Sequence, residues 1–379
     1  MPTVIKAQSG QDFLALVPHL LGYRPRRSAV LIAFRGNRTC GALRFDLPAP
    51  GALKVLKRHA TSMIGMLCKI RDVDALVPLV YTDARFESGD GLQGSFLDAL
   101  VHRAELAGLH VRDALCVAAD GWGSLFDEAV PPGGRPLRLI AESPVASVAE
   151  LGDREVADDV TAGTDLPHVG LVKTERVARR MQELGPDLVR SADELCDEAE
   201  GDDMAALFEG VLRADVEALS VDLAAFALRL VQAPPLRDIA LLGWAFGLET
   251  GRRVEREAVE YASTHELVET PDGLLLAGIG PRPDAERIDA AIVLLRTLGA
   301  HAPVSARPPV FAMLAWLSWA LGQSSRAAVF VENALAIDPE YGLAQLVGAM
   351  VAGGRLPEWA FEPPEIDEAQ VRYADVPSR

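Results

Sequence analysis

Strand-length apolar runs occur in this chain only before about residue 142; beyond it, every apolar pattern has helical spacing. This change of period predicts an α/β amino-terminal domain, a mixed sheet flanked by helices, followed by an all-α carboxyl-terminal domain. In the first part, "TVIKA" reads as a short strand and "SGQDFLALVPHLLGY" as a helix. Ser9 can cap that helix and Gly22 can end it, while Pro18 is expected to kink or break it. "SAVLIAF" (28–34) and "GALRFDL" (41–47) flank Gly36-Asn37 and predict an antiparallel hairpin. The amphipathic helix "GALKVLKRHATSMIGMLCKIR" comes next. A strand over 74–83, a helix over 95–109 and a strand over 113–120 complete a β-α-β-β-α-β-α-β order.

The organisation expected is a mixed α/β domain over 1–142, a linker with helices over 143–203, a helical domain over 204–355 and a flexible tail over 356–379. In the linker, "LVKTERVARRMQELG" reads as a basic helix, and the acidic 192–203 as a solvated connection. "MAALFEGVLRADVEALSVDLAAFALRLV" (204–231) keeps helical spacing throughout, and "LRDIALLGWAFGLE", apolar nearly all round, is expected at the centre of its domain. Near the end, Leu314, Ala315, Gly322, Ala327, Ala334 and Pro339 are spaced so that the last helix pair resembles one tetratricopeptide unit. A single unit supports helix-pair packing more than it supports a peptide-binding groove.

Charge narrows the function classes. The net charge of −17 argues against nucleic acid as a partner. Residues 1–60 nevertheless carry ten Lys or Arg against two acids, and the rest of the chain 27 against 52. A basic head on an acidic body suits self-association or a protein partner. The start, "MPTVIKAQSGQD", lacks a secretory pattern, and the apolar run "PVFAMLAWLSWALG" is too short to span a bilayer. The expectation is therefore a cytoplasmic protein with no membrane segment.

Catalytic signatures are few. Cys40, Cys68, Cys116 and Cys196 form no CxxC pair, so no metal site is expected from them. The histidines are scattered, and no GxSxG, HExxH or Walker loop occurs. "GDGLQG" (89–94) spells GxGxxG but follows its strand too late for a dinucleotide fold. The strand ends are more suggestive. Asp83 and Asp120 close two strands joined by one helix, so a right-handed crossover places both at the carboxyl edge of the sheet. Arg85, Trp122 and Ser124 follow directly, and the five together are the candidate ligand-binding set. Its two acids could hold a magnesium ion through water or the hydroxyls of a ligand, or simply start turns after strands. Arg24, Arg26 and Arg27 crowd three cations into a bend that Gly22 and Pro25 explain without any ligand. They are a candidate anion- or partner-binding cluster, or a solvated bend.

The block "TVIKAQSGQDFLALVPHLLGYRPRRSAVLIAFRGNRTCGALRFDLP" resembles the start of the domain of unknown function 4192 family, mainly of actinobacteria. Similar spacing continues in "LVPLVYTD", "DALCVAADGWGSL" and "AWLSWALGQSSRAAVFVENALAIDPEYGLA". The resemblance covers most of residues 1–355 and implies no established activity. Relatives tend to carry an Arg-Trp pair and a cysteine-containing Pro-Gly segment. This chain keeps Trp122 and Ser124 but has Gly121 at the Arg position and no cysteine in "PPGGRP".

Three functions remain in order of preference. The first is a non-catalytic interaction or assembly module. The second is a small-ligand or nucleotide-binding α/β domain, hydrolytic or not, with its site at the carboxyl edge of the sheet. The third is nucleic-acid binding through the basic head. No cofactor is expected beyond that magnesium ion.

Overall fold

The computed structural model describes residues 5–49, 51–87, 92–149, 156–184, 203–264, 271–362 and 371–373. The chain divides into two compact units, Met1–Val160 with Phe361–Arg379, and Thr161–Ala360.

The first unit is built on one mixed sheet. Its elements are β1 (Ile5–Ala7), α1 (Gly10–Leu21), β2 (Ser28–Arg35), β3 (Arg38–Asp46), α2 (Leu53–Leu67), β4 (Ala75–Tyr81) and α3 (Leu92–Leu106). They continue with β5 (His110–Val111), β6 (Leu115–Val117), β7 (Trp122–Ser124), α4 (Arg138–Ala141), α5 (Pro144–Ala149) and β8 (Val371–Tyr373). The strand order is β1-β8-β3-β2-β4-β6-β7, with β5 also beside β4.

β2 and β3 form the expected hairpin, with Gly36 left-handed at φ 52° and Cys40 as an extra residue in the ladder. β4 and β6 run parallel, as the crossover through α3 requires. Alternation along β2 assigns its two faces. Val30, Ile32 and Phe34 pack with Phe13, Leu16 and Val17 of α1. Ala29, Leu31 and Ala33 pack with Leu56, Ile64 and Leu67 of α2 and Phe96 and Leu100 of α3. Ser9 caps α1 by accepting from the Asp12 N–H, and Gly22 ends it at φ 77°. The helix runs through Pro18 without the expected break. Pro18 lies one turn from the end, so little helix depends on the hydrogen bond it cannot donate.

The second unit is helical: α6 (Leu171–Glu183), α7 (Met204–Leu212), α8 (Val221–Leu230), α9 (Pro234–Phe246), α10 (Leu248–Thr264) and α11 (Pro271–Leu276). The remaining helices are α12 (Ala285–His301), α13 (Arg307–Ala320), α14 (Ser324–Ile337) and α15 (Gly342–Ala352). The uninterrupted spacing over 204–231 resolves into α7 and α8. Asp215 accepts from the N–H groups of Glu217 and Ala218, making a turn, and Ser220 caps α8 through the Leu223 N–H. α9 is buried along most of its length, as expected. α13 and α14 pack through stacked Phe311 and Phe330 rings, 6.4 Å apart, with Ala327 and Ala334 fully buried between helices.

Four buried indoles organise this unit. Trp319 lies 6.4 Å from both Trp316 and Trp359, and Phe246 touches the latter two rings. Each indole N–H reaches a carbonyl: Trp244 to Phe208, Trp316 to Leu276, Trp319 to Arg355 and Trp359 to Ala320. The chain after Leu356, read as an unpacked tail, is thus partly packed. Trp359 is buried, and Phe361 belongs to the first unit, where Lys69 lies over its ring. The composition rich in Pro and Glu hid these two aromatic anchors. Residues 89–91 of "GDGLQG" lie outside the described residues while Leu92 begins α3, and 192–202 of the acidic stretch lie outside them as well. Asp203 is described and caps α7 through the Ala206 N–H.

Candidate functional site

The pairing register gathers the candidate residues at one end of the sheet. Ser28 opposes Tyr81 across β2 and β4, Tyr81 opposes Val117 across β4 and β6, and Val117 opposes Trp122 across β6 and β7. Directly beyond this row come Asp83, Arg85 and Asp120, and directly before Ser28 come Arg24, Arg26 and Arg27. The carboxyl edge of β4 and β6 is thus flanked by both candidate sets.

The rim is polar and open. Arg27 Nε lies 3.8 Å from Asp83, and Arg85 Nε 3.9 Å from Asp120, with both arginines about 80% exposed. Pairs this long and wet contribute little stability. Asp120 also accepts from the Phe86 N–H at 2.8 Å, so it fixes the turn after β4. The two acids are each matched by a separate arginine. Among the described residues, no group of three His, Cys, Asp or Glu is placed to hold a metal ion.

The other two candidates turn inward. Trp122 is 5% exposed and lies in the core layer with Phe13, Leu16 and Leu115. Ser124 donates to the buried carboxylate of Asp113 and accepts from the Phe126 N–H. Ser124 therefore anchors β7 and the turn after it.

The three-arginine bend has a physical explanation in its backbone. Arg24 N–H donates to Ala157, and Leu47 N–H to the Arg27 carbonyl. Arg27 adopts φ 43°, a left-handed conformation unusual for a residue with a Cβ. Arg24 and Arg26 are exposed and make no ion pair among the described residues.

Gly121 is required by close packing. A Cβ there would stand 2.4 Å from the Gly133 carbonyl oxygen and 3.2 Å from Gly134 Cα. The Gly133-Gly134 pair and Gly121 therefore belong together. Gly121→Ala is expected to destabilise the first unit by about 2 kcal/mol, read as a fall in melting temperature. An unchanged melting temperature would show that the 131–135 loop simply moves away.

Sequence reasoning missed Ser28 and Tyr81, whose hydroxyls are enclosed and unpartnered among the described residues, as is the indole N–H of Trp122. Burial pushes the Tyr81 hydroxyl above the usual phenol range. The only sequence signal was a polar residue at the end of each apolar run. Cys40 and Cys116 are poor nucleophiles: burial pushes their thiols up to about 11.

A separate feature lies on the opposite face. α2 and α3 border a groove of about 610 Å³ lined by Leu53, Lys54, Lys57, Arg58, Thr61, Ser62 and Arg103. None of its four cations forms an ion pair among the described residues, and the Arg103 Nε is enclosed without a partner. α2 also has no acid in its first turn, so Lys54 adds to the positive end of the helix dipole.

No curated protein and no solved structure matches this chain. A family model described as domain of unknown function (DUF4192) matches residues 11–358.

Proposed function

The chain belongs to the DUF4192 family, and from that premise we propose that it is a non-catalytic interaction or assembly module that docks an acidic protein surface on its α2–α3 groove. The observation that carries this reading is the groove itself: four cations without a neutralising acid, beside the half-exposed Leu53. Such a surface is self-repelling until an anionic partner relieves it. The acidic excess after residue 60 makes a second copy of the chain the partner of matching charge. Basic-to-acidic contact between copies is heterologous and leads to rings or open chains rather than a simple two-fold dimer. The tetratricopeptide-like spacing of α13 and α14 fits a role in protein packing. A cytoplasmic setting, where reduced thiols persist, suits Cys40, Cys68 and Cys116, which are free.

The test is sedimentation velocity at low and at raised salt. Assembly that dissolves above about 0.1 M salt, where exposed charges are screened beyond about 10 Å, and that Lys57→Glu with Arg58→Glu abolishes, is the expected result. A wild-type chain that stays monomeric at low salt and high concentration would sink the self-assembly reading.

A further inference from the structure

The second unit satisfies all four of its indole N–H groups with carbonyl partners at 2.7–3.0 Å. Trp122, the fifth tryptophan, is as buried as they are in practice and satisfies none among the described residues. A buried indole N–H usually finds an acceptor. Here the unpartnered indole shares its row of the sheet with two further unpartnered groups. Ser28 is fully buried, and the Tyr81 hydroxyl oxygen is enclosed. Cross-strand partners project to the same face. All three belong on the α1 face, where Trp122 and Tyr81 pack with Phe13 and Leu16. Leaving three such groups without partners in an apolar layer is costly.

We propose that Ser28, Tyr81 and Trp122 form the floor of a binding site for a small oxyanion, a carboxylate or a phosphate, at the carboxyl edge of the sheet. The donor set selects this class: the hydroxyls of Ser28 and Tyr81 are cross-strand neighbours, the indole N–H lies two strands beyond Tyr81, and all three offer donors to an acceptor-rich ligand, the indole being able to do nothing else. Val117, much the shortest large side chain of the row, lies between the Tyr81 and Trp122 positions, which are two strand spacings, about 10 Å, apart. Arg24 and Arg26, beside Ser28 and free of ion pairs among the described residues, supply positive charge at the entrance. Of the nearby acids, Asp46, opposite Ser28, pairs with Arg44 at 2.6 Å, and three more have partners of differing strength. Asp12 accepts from Ser143 and the Gln8 N–H, Asp113 from Ser124 and the Ala114 N–H, and Asp83 pairs with Arg27. The left-handed Arg27 next to Ser28 adds a strained residue, a feature that concentrates at binding sites. The edge is also where open α/β sheets take ligands. This site is a role of the first unit and does not rest on assembly through the α2–α3 groove.

The test uses the full ¹⁵N-labelled chain and the indole region of its proton–nitrogen correlation spectrum, where five signals are expected. Sodium acetate and inorganic phosphate are titrated separately at constant ionic strength, and Trp122→Phe identifies the Trp122 signal. The expected result is a saturable shift of that signal with one of the two anions while the other four hold still; which anion does so names the source. Tyr81→Phe should weaken that binding about tenfold, and Ser28→Ala provides a second, smaller change should Tyr81→Phe fail to fold. The four remaining indoles report the fold of the second unit, and far-ultraviolet circular dichroism that of the whole. A Trp122 signal that moves saturably with neither anion overturns the proposal. So does one that saturates equally well in folded Tyr81→Phe and Ser28→Ala proteins.

Discussion

Trp319→Ala is expected to remove about 4 kcal/mol from the stability of the second unit, a large share of the 5–15 kcal/mol typical of a domain. The ring is fully buried, touches Trp316 and Trp359, and donates to the Arg355 carbonyl at 2.7 Å. Its edge also faces Gly278, where an added Cβ would lie 2.4 Å from Cη2. The surroundings are shaped to this ring on several sides, so they cannot collapse into the space it leaves. Urea unfolding followed by circular dichroism at 222 nm measures the loss without relying on indole fluorescence. Trp319→Phe, which keeps most of the apolar contact, should lose much less. A loss below about 0.5 kcal/mol for the alanine variant, the level of an ordinary surface change, would show that the indole cluster does not hold this unit together.

Glu209→Ala should be nearly as damaging, by about 3 kcal/mol, for an electrostatic reason. The Glu209 carboxylate, 8% exposed, accepts from Arg287 at 2.6 and 3.0 Å and from Arg213 at 2.9 Å. Arg287 in turn donates to the carbonyls of Trp244 and Gly243. Removing the carboxylate strands a guanidinium that ties α7, α9 and α12 together. The Arg287 hydrogen bonds hold the Glu209 carboxyl below its ordinary value of 4.5, against the upward push of burial. A carboxyl lowered in the folded state stabilises fully above the unfolded value and loses that contribution as pH falls through the folded one. The difference in urea midpoint between wild type and Glu209→Gln should therefore be full at neutral pH and shrink below about pH 4.5. A difference that stays constant into acid would exclude this charge as its origin.

Much of the architecture was legible because it follows from periodicity. The hairpin was readable from Gly36-Asn37 between two apolar runs, and the parallel β4–β6 pair from one helix between two strands. The features that escaped depend on single contacts. The spacing of Leu207, Val211, Leu219 and Leu223 continues across a turn that the side chains of Asp215 and Ser220 hold. Nothing in "LPEWAFEPPE" separates a buried Trp359 from an exposed one. At the candidate site, the sequence placed Asp83 and Asp120 at the right edge but could not tell rim from floor. Trp122 was grouped with the acids by adjacency in the chain, whereas the register turns it inward. Ser28 and Tyr81 became visible only as partners across two strands, a relation that depends on register rather than on local pattern.

The strand order has a consequence for the living history of each molecule. Among the described residues, β1 reaches the rest of the sheet only through β8, which pairs parallel with it and antiparallel with β3. Residues 5–7 emerge from the ribosome before residues 371–373, which follow only after the whole second unit. At ordinary synthesis rates that gap is roughly twenty seconds to a minute. For that time Arg38 of β3 lacks its partner Arg372, and this end of the sheet edge stays open to other strands.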